Sequence, residues 1–63
     1  MKRYYERTEA EQAIIRCAYN FEIWAIETEC SDTNPFYDAI LEMEDGRAVW
    51  EGIDVAVELA YAE

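Results

Sequence analysis

Residues Phe36 to Gly52 read FYDAILEMEDGRAVWEG, and their interpretation decides the fold. Asp45-Gly46 lies between two alternating segments. That is a strong hairpin signal, because a two-residue type I′ turn needs positive φ at both central positions. Closing the chain there pairs Glu44 with Arg47, Met43 with Ala48, Glu42 with Val49, Leu41 with Trp50 and Ile40 with Glu51. Opposed residues share a face. Tyr37, Ala39, Leu41, Met43, Ala48 and Trp50 then form an apolar side, and Asp38, Ile40, Glu42, Glu44, Arg47, Val49 and Glu51 an acidic one. Only Ile40 and Val49 are out of place. A helix over Phe36–Asp45 competes, with Asn34 as N-cap, Pro35 at the first helical position and Gly46 just past the end. It would crowd Glu42, Glu44 and Asp45 at the negative end of the helix dipole, and Tyr37 and Leu41 would leave its apolar face. The hairpin fits more of the pattern and is the expectation carried forward.

Upstream, residues 1–7 form a mixed-charge lead-in, and Thr8-Glu9-Ala10-Glu11 fits a capping box that starts a helix. Ala10, Ala13, Ile14, Cys17, Ala18 and Phe21 give it one apolar stripe, and Asn20 can end it. Phe21 to Glu29 fits a strand by its bulky and β-branched residues, although a helix would keep Trp24 and Ala25 in register with the stripe. Cys30 to Pro35 is a polar loop closed by the sole proline.

Downstream of Gly52, alternation of Ile53, Val55, Val57, Leu59 and Tyr61 suits a strand. Ile53, Ala56, Val57, Ala60 and Tyr61 suit a helical stripe capped by Asp54, and the Ala, Glu and Leu content after residue 56 favours that helix. The expectation is one α+β domain over residues 1–63, ordered α-β-β-β-α. It has a three-stranded antiparallel meander covered by helices on its apolar face, and a fourth strand is the alternative for the last element.

The net charge is −10 on 63 residues, and it is unevenly placed. Residues 1–20 carry Lys2, Arg3, Arg7 and Arg16 against Glu6, Glu9 and Glu11, a net of +1. Residues 21–63 carry Arg47 alone against twelve carboxylates, a net of −11. Such a surface repels nucleic acid and anionic membranes and attracts basic partners. A hydrophobic share of 52% with nine aromatic residues argues against disorder. Met1-Lys2-Arg3 leads into Tyr4-Tyr5-Glu6 rather than an apolar run, and no apolar run approaches a membrane span. The expected location is the cytoplasm.

Chemistry by side chains is poorly supplied. There is no histidine, hence no serine triad at Ser31 and no common zinc site. Asp32, Asn34 and Asp38 fail the EF-hand pattern at Phe36, Tyr37 and Met43. Cys17 reads as a small core residue and Cys30 as a loop residue, and their spacing does not say whether they pair. Neither an enzyme nor a cofactor or metal site is expected. The candidate partner-binding residues are Glu22, Glu27 and Glu29 on the first strand, Asp32 in the loop, and Asp38, Glu42, Glu44 and Glu51 on the hairpin's outer face. Strand neighbours at i and i+2 would present these carboxylates in ordered rows. Trp24, Trp50, Tyr37 and Tyr61 are either core or interface anchors.

In size, in its −11 segment, in the helix Thr8–Asn20 beside a short sheet, and in the EMEDGR hairpin of residues 42–47, the chain resembles the small acidic inhibitors encoded by bacteriophages, the anti-CRISPR and DNA-mimic proteins. The resemblance contains no specific motif, so no functional residue transfers by alignment. It implies a protein in the host bacterial cytoplasm, a monomer or small homo-oligomer, that binds a basic nucleic-acid-binding protein or a CRISPR effector complex and blocks its DNA-binding surface. The alternatives are an antitoxin-like partner of a basic ribonuclease and a structural domain that oligomerises through an exposed sheet edge.

Overall fold

The capping box at Thr8 forms as its residues dictate. The Thr8 hydroxyl accepts from the Glu11 amide at 3.1 Å, and the Glu11 carboxylate accepts from the Thr8 amide at 3.0 Å. From that start, helix α1 runs over Glu9–Glu27, a 3-10 turn over Tyr4–Glu6 preceding it. Two further helices follow, α2 over Tyr37–Leu41 and α3 over Gly46–Ala60. The computed structural model describes residues 2–62, so Met1 and Glu63, the outer ends of the lead-in and of the last segment, lie outside it. Among the described residues there is no strand. The domain is all-helical, and the expected α+β meander is overturned.

The first correction falls on Phe21 to Glu29. Asn20 does not end α1, because helical register beyond it places Ala25 on the same buried side as Ala18. The strand preference of Ile23, Trp24 and Ile26 is a weak local bias that helix continuity overrides. The helix ends with Glu29 in the left-handed region at φ 55°. The Cys30 amide reaches back to the Ala25 carbonyl at 2.8 Å and the Glu29 amide to that of Ile26 at 3.2 Å. This pair of bonds is a Schellman closure, with glutamate where glycine is usual.

The second correction is the hairpin itself. No glycine has positive φ, and Asp45 sits at φ −106° and ψ 30°, so no type I′ turn exists. The rival helix is realised only in part. Tyr37–Leu41 is helical, but Gly46 opens α3 rather than closing α2. Glycine is required at 46 because a Cβ there would run into the backbone of Ile40 and Leu41, 2.7 Å from Leu41 Cα. The residue that signals a turn is thus a point of helix–helix contact.

The core explains why helices win. Ala18, Ile40, Val49, Ile53 and Val57 are buried together, with Ile14, Ile23, Phe36, Met43 and Trp50 packed around them. Ile40 and Val49 are the two residues the hairpin left on its solvent face, and Ile40 is 0% exposed. Burying each such side chain is worth about 1.5–3 kcal/mol, so a fold that uses both outcompetes one that wastes both. The last element is helical as expected, but it begins at Gly46 and passes through Gly52. Its strand alternation fails because Val55 and Leu59 are exposed. Cys17, expected in the core, is exposed, and both cysteines are free thiols.

Candidate interaction surface

The loop before α2 owes its shape to Asn34, which is buried. Its amide nitrogen donates to the Ala18 carbonyl at 3.0 Å and to the Glu22 carboxylate at 3.4 Å. Its side-chain oxygen accepts from the Phe36 amide at 2.9 Å. One side chain therefore fastens residues 28–36 to the middle of α1 and sets where Asp32 and Asp38 face solvent.

The eight predicted partner-binding carboxylates are not in rows, because the strands that would align them are helices and loop. Glu22 is half-buried on α1 and accepts from Asn34. Glu27 ends α1, Glu29 occupies its left-handed closure, and Asp32 lies in the loop. Asp38 belongs to α2 and Glu42 follows its end as the C-cap residue, Glu44 belongs to the turn before α3, and Glu51 to α3 itself. All but Glu22 are exposed. Sequence reasoning missed that α3 adds Asp54 and Glu58 at i+3 and i+7 from Glu51, which extends one acidic helix face. The signal was present in that spacing, but it is visible only once Gly52 is read as helical. Among the described residues, no group of three acidic or cysteine side chains is arranged to hold a metal ion.

Tyr37 meets Trp50 edge-on with ring centroids 4.7 Å apart, joining α2 to α3. Trp24 packs obliquely on Phe21 but stays 49% exposed. The Tyr61 hydroxyl donates to the Ile23 carbonyl at 3.4 Å. Desolvation, then the nearby Glu27 and Tyr19, hold the Tyr61 hydroxyl above its ordinary pKa.

Sequence reasoning also missed the one ion pair among the described residues, Arg7 with Asp45. Arg7 donates through Nη1 to Oδ1 at 3.1 Å and through Nη2 to Oδ2 at 2.9 Å. Nη2 also donates to the Lys2 carbonyl at 2.9 Å, and the Lys2 amide donates to Asp45 Oδ2 at 3.2 Å. The bond from Arg7 holds the Asp45 carboxyl well below its usual range, at about 2, with help from the Lys2 amide. Asp45 in turn raises the Arg7 pKa. Asp45 occupies the N-cap position of α3 but makes no side-chain cap, because its carboxylate is given to Arg7. No local sequence signal links these two residues.

Two hollows border this bridge. One, about 450 Å³, is polar and rimmed by Glu6, Glu11 and Glu44 beside Lys2. The other, about 360 Å³, is apolar and runs between the N-terminal turn, α1 and α3. No helix among the described residues is long and apolar enough to cross a membrane. No family model, no curated protein and no solved structure matches the chain.

Proposed function

We propose that this protein acts by binding, through its acidic outer surface, a basic nucleic-acid-binding protein, and so occupies the surface that would otherwise take phosphate. The observation that carries this reading is the lack of internal neutralisation. Among the described residues only Asp45 has an ion-pair partner, and the other carboxylates of α2, α3 and the joining segments are left to solvent with Arg47 as the sole cation beyond residue 20. Uncompensated charge of one sign sums into a field that steers a basic partner over a Debye length. With the sheet and hairpin gone, the resemblance to small acidic phage inhibitors rests on size and the acidic segment. The partner class it implies is a CRISPR effector complex, whose DNA channel is such a basic surface. Oligomerisation through a sheet edge loses its basis, since no edge exists among the described residues.

The test is a tagged pull-down from bacterial lysate, washed at low and at high salt and challenged with competing DNA. A nucleic-acid-binding complex released by salt and by DNA is the expected result. Combined Asp38→Asn, Glu42→Gln, Glu44→Gln and Glu51→Gln should abolish capture with the fold intact, while Glu6→Gln with Glu9→Gln should not. Equal losses from both sets, or a partner that ignores salt and DNA, would sink the proposal.

A further inference from the structure

Positive charge in this chain is gathered rather than scattered. Of its five lysines and arginines, Lys2, Arg7 and Arg16 all line the apolar groove of about 360 Å³. Among the described residues, no aspartate or glutamate lines it. Arg7 is already committed to Asp45 and the Lys2 carbonyl. Arg16 donates to the Tyr4 hydroxyl, a neutral group, and neither Lys2 nor Arg16 makes an ion pair among the described residues. The groove thus has an apolar floor, drawn from Ile15 on α1 and Ile53 and Ala56 on α3. At its edge are two cations without an ion pair among the described residues, Lys2 being shared with the hollow that Glu6, Glu11 and Glu44 rim.

We propose that the groove binds a small anionic amphiphile, a free medium-chain carboxylate, with its tail along Ile15, Ile53 and Ala56 and its head group beside Lys2 and Arg16. Charge complementarity selects an anion, because an anion is repelled almost everywhere else on a chain of net charge −10. The apolar floor selects a tail. The volume lies at the small end of the ~300–1,000 Å³ typical of ligand clefts, which suits a single acyl chain. A helix, about 10–12 Å across, needs a longer trough. A second copy brings its own −10 and is disfavoured by mutual repulsion. Gly52 keeps the floor open, since a Cβ there meets no atom within 4 Å. A Cβ at 52 is therefore accommodated without displacing the fold, and a longer side chain there is expected to occupy the groove that Gly52 lines.

The experiment follows the methyl resonances of Ile15 and Ile53 while decanoate, decanol or decyltrimethylammonium is added below micelle-forming concentration. Decanoate should saturate one site and bind roughly tenfold more tightly than decanol, the effect of a charge-assisted contact, with the cationic amphiphile weakest. Lys2→Gln with Arg16→Gln should erase that tenfold preference. Gly52→Leu should abolish binding of both decanoate and decanol with helicity by circular dichroism unchanged. Removing the carboxylates at 38, 42 and 51, none of which lines either hollow, should leave decanoate binding as it was, which keeps this site independent of the acidic surface. Equal affinity for decanoate and decanol, unmoved methyls, or binding that survives Gly52→Leu would overturn the proposal. So would tighter binding to phospholipid vesicles than to decanoate, or a concentration-dependent mass that Gly52→Leu alters, which would make a membrane or a second copy the occupant.

Discussion

Arg7 and Asp45, 38 positions apart, meet through two parallel hydrogen bonds of 3.1 and 2.9 Å and tie the N-terminal segment to the start of α3. The Arg7 side chain is 3% exposed and that of Asp45 23%, so the guanidinium is the partner that depends on the bridge. A buried charge deprived of its counter-ion costs far more than the pair contributes. Asp45→Asn, which strands the guanidinium, should therefore lower the melting temperature more than Arg7→Met, which leaves a carboxylate that water can reach. Thermal unfolding at neutral pH of both variants and the double variant checks this. Equal single losses would mean that the bridge is no more than a surface contact.

Acid should reveal the same bridge. The Asp45 carboxyl has a folded pKa of about 2 against an ordinary 3.8. Its contribution is then fully present above the ordinary value and is lost as pH falls from there through about 2. Glu11, lowered by its bonds to Thr8, acts in the same direction. Urea unfolding measured from pH 5 to pH 2 should show a decline that is shallower in Asp45→Asn.

The two glycines should respond with opposite signs. Gly46→Ala forces a Cβ into the backbone of Ile40 and Leu41, which cannot rotate away. It should cost about 3 kcal/mol or more, at the upper end for overpacked sites. Gly52→Ala adds a methyl to open space inside a helix, and should gain about 1 kcal/mol, or roughly 4–8 °C. Calorimetry of the two single variants decides both.

Asn34→Ala should destabilise by about 1–3 kcal/mol, because the Phe36 amide loses its acceptor in a partly buried site. The loss should appear together with faster amide exchange across residues 30–36, where the fastening to the Ala18 carbonyl is also gone.

Glu29→Gly should raise stability by a few tenths to about 1 kcal/mol, since glycine occupies the left-handed closure of α1 without a Cβ penalty. Denaturant midpoints measure it. The variant also removes a predicted partner-binding carboxylate, so weaker capture together with a firmer fold would separate binding from folding.

Local signals were read correctly where their partners lie within a turn or two of helix. Thr8 and Glu11 are three residues apart, and their reciprocal bonds follow from that spacing alone. The helical character of Ile53 to Ala60 was legible in composition. Phe21 to Glu27 was misread because bulky residues suit strands, whereas what holds them helical is continuity with α1 and the burial of Ala25. Asp45-Gly46 was misread for a sharper reason. Glycine is demanded both by positive φ and by close approach, and the residue name does not distinguish the two.

Of the candidate surface, the identity and exposure of seven carboxylates were visible in the sequence, but their arrangement was not. A strand would have aligned them, and three helices distribute them. The groove that gathers Lys2, Arg7 and Arg16 was invisible, because its walls come from segments far apart in the chain.

By itself the sequence determined the charge imbalance, the capped start of α1 and the polar break before Pro35, and it left the last segment between helix and strand. These depend on composition or on residues a few positions apart. Only the tertiary structure decided that Gly46 is a contact, that Ile40 and Val49 are core, and that Arg7 belongs to Asp45. Each of those rests on surfaces brought together by burial of apolar area, a non-directional force that leaves no local mark on the residues it joins.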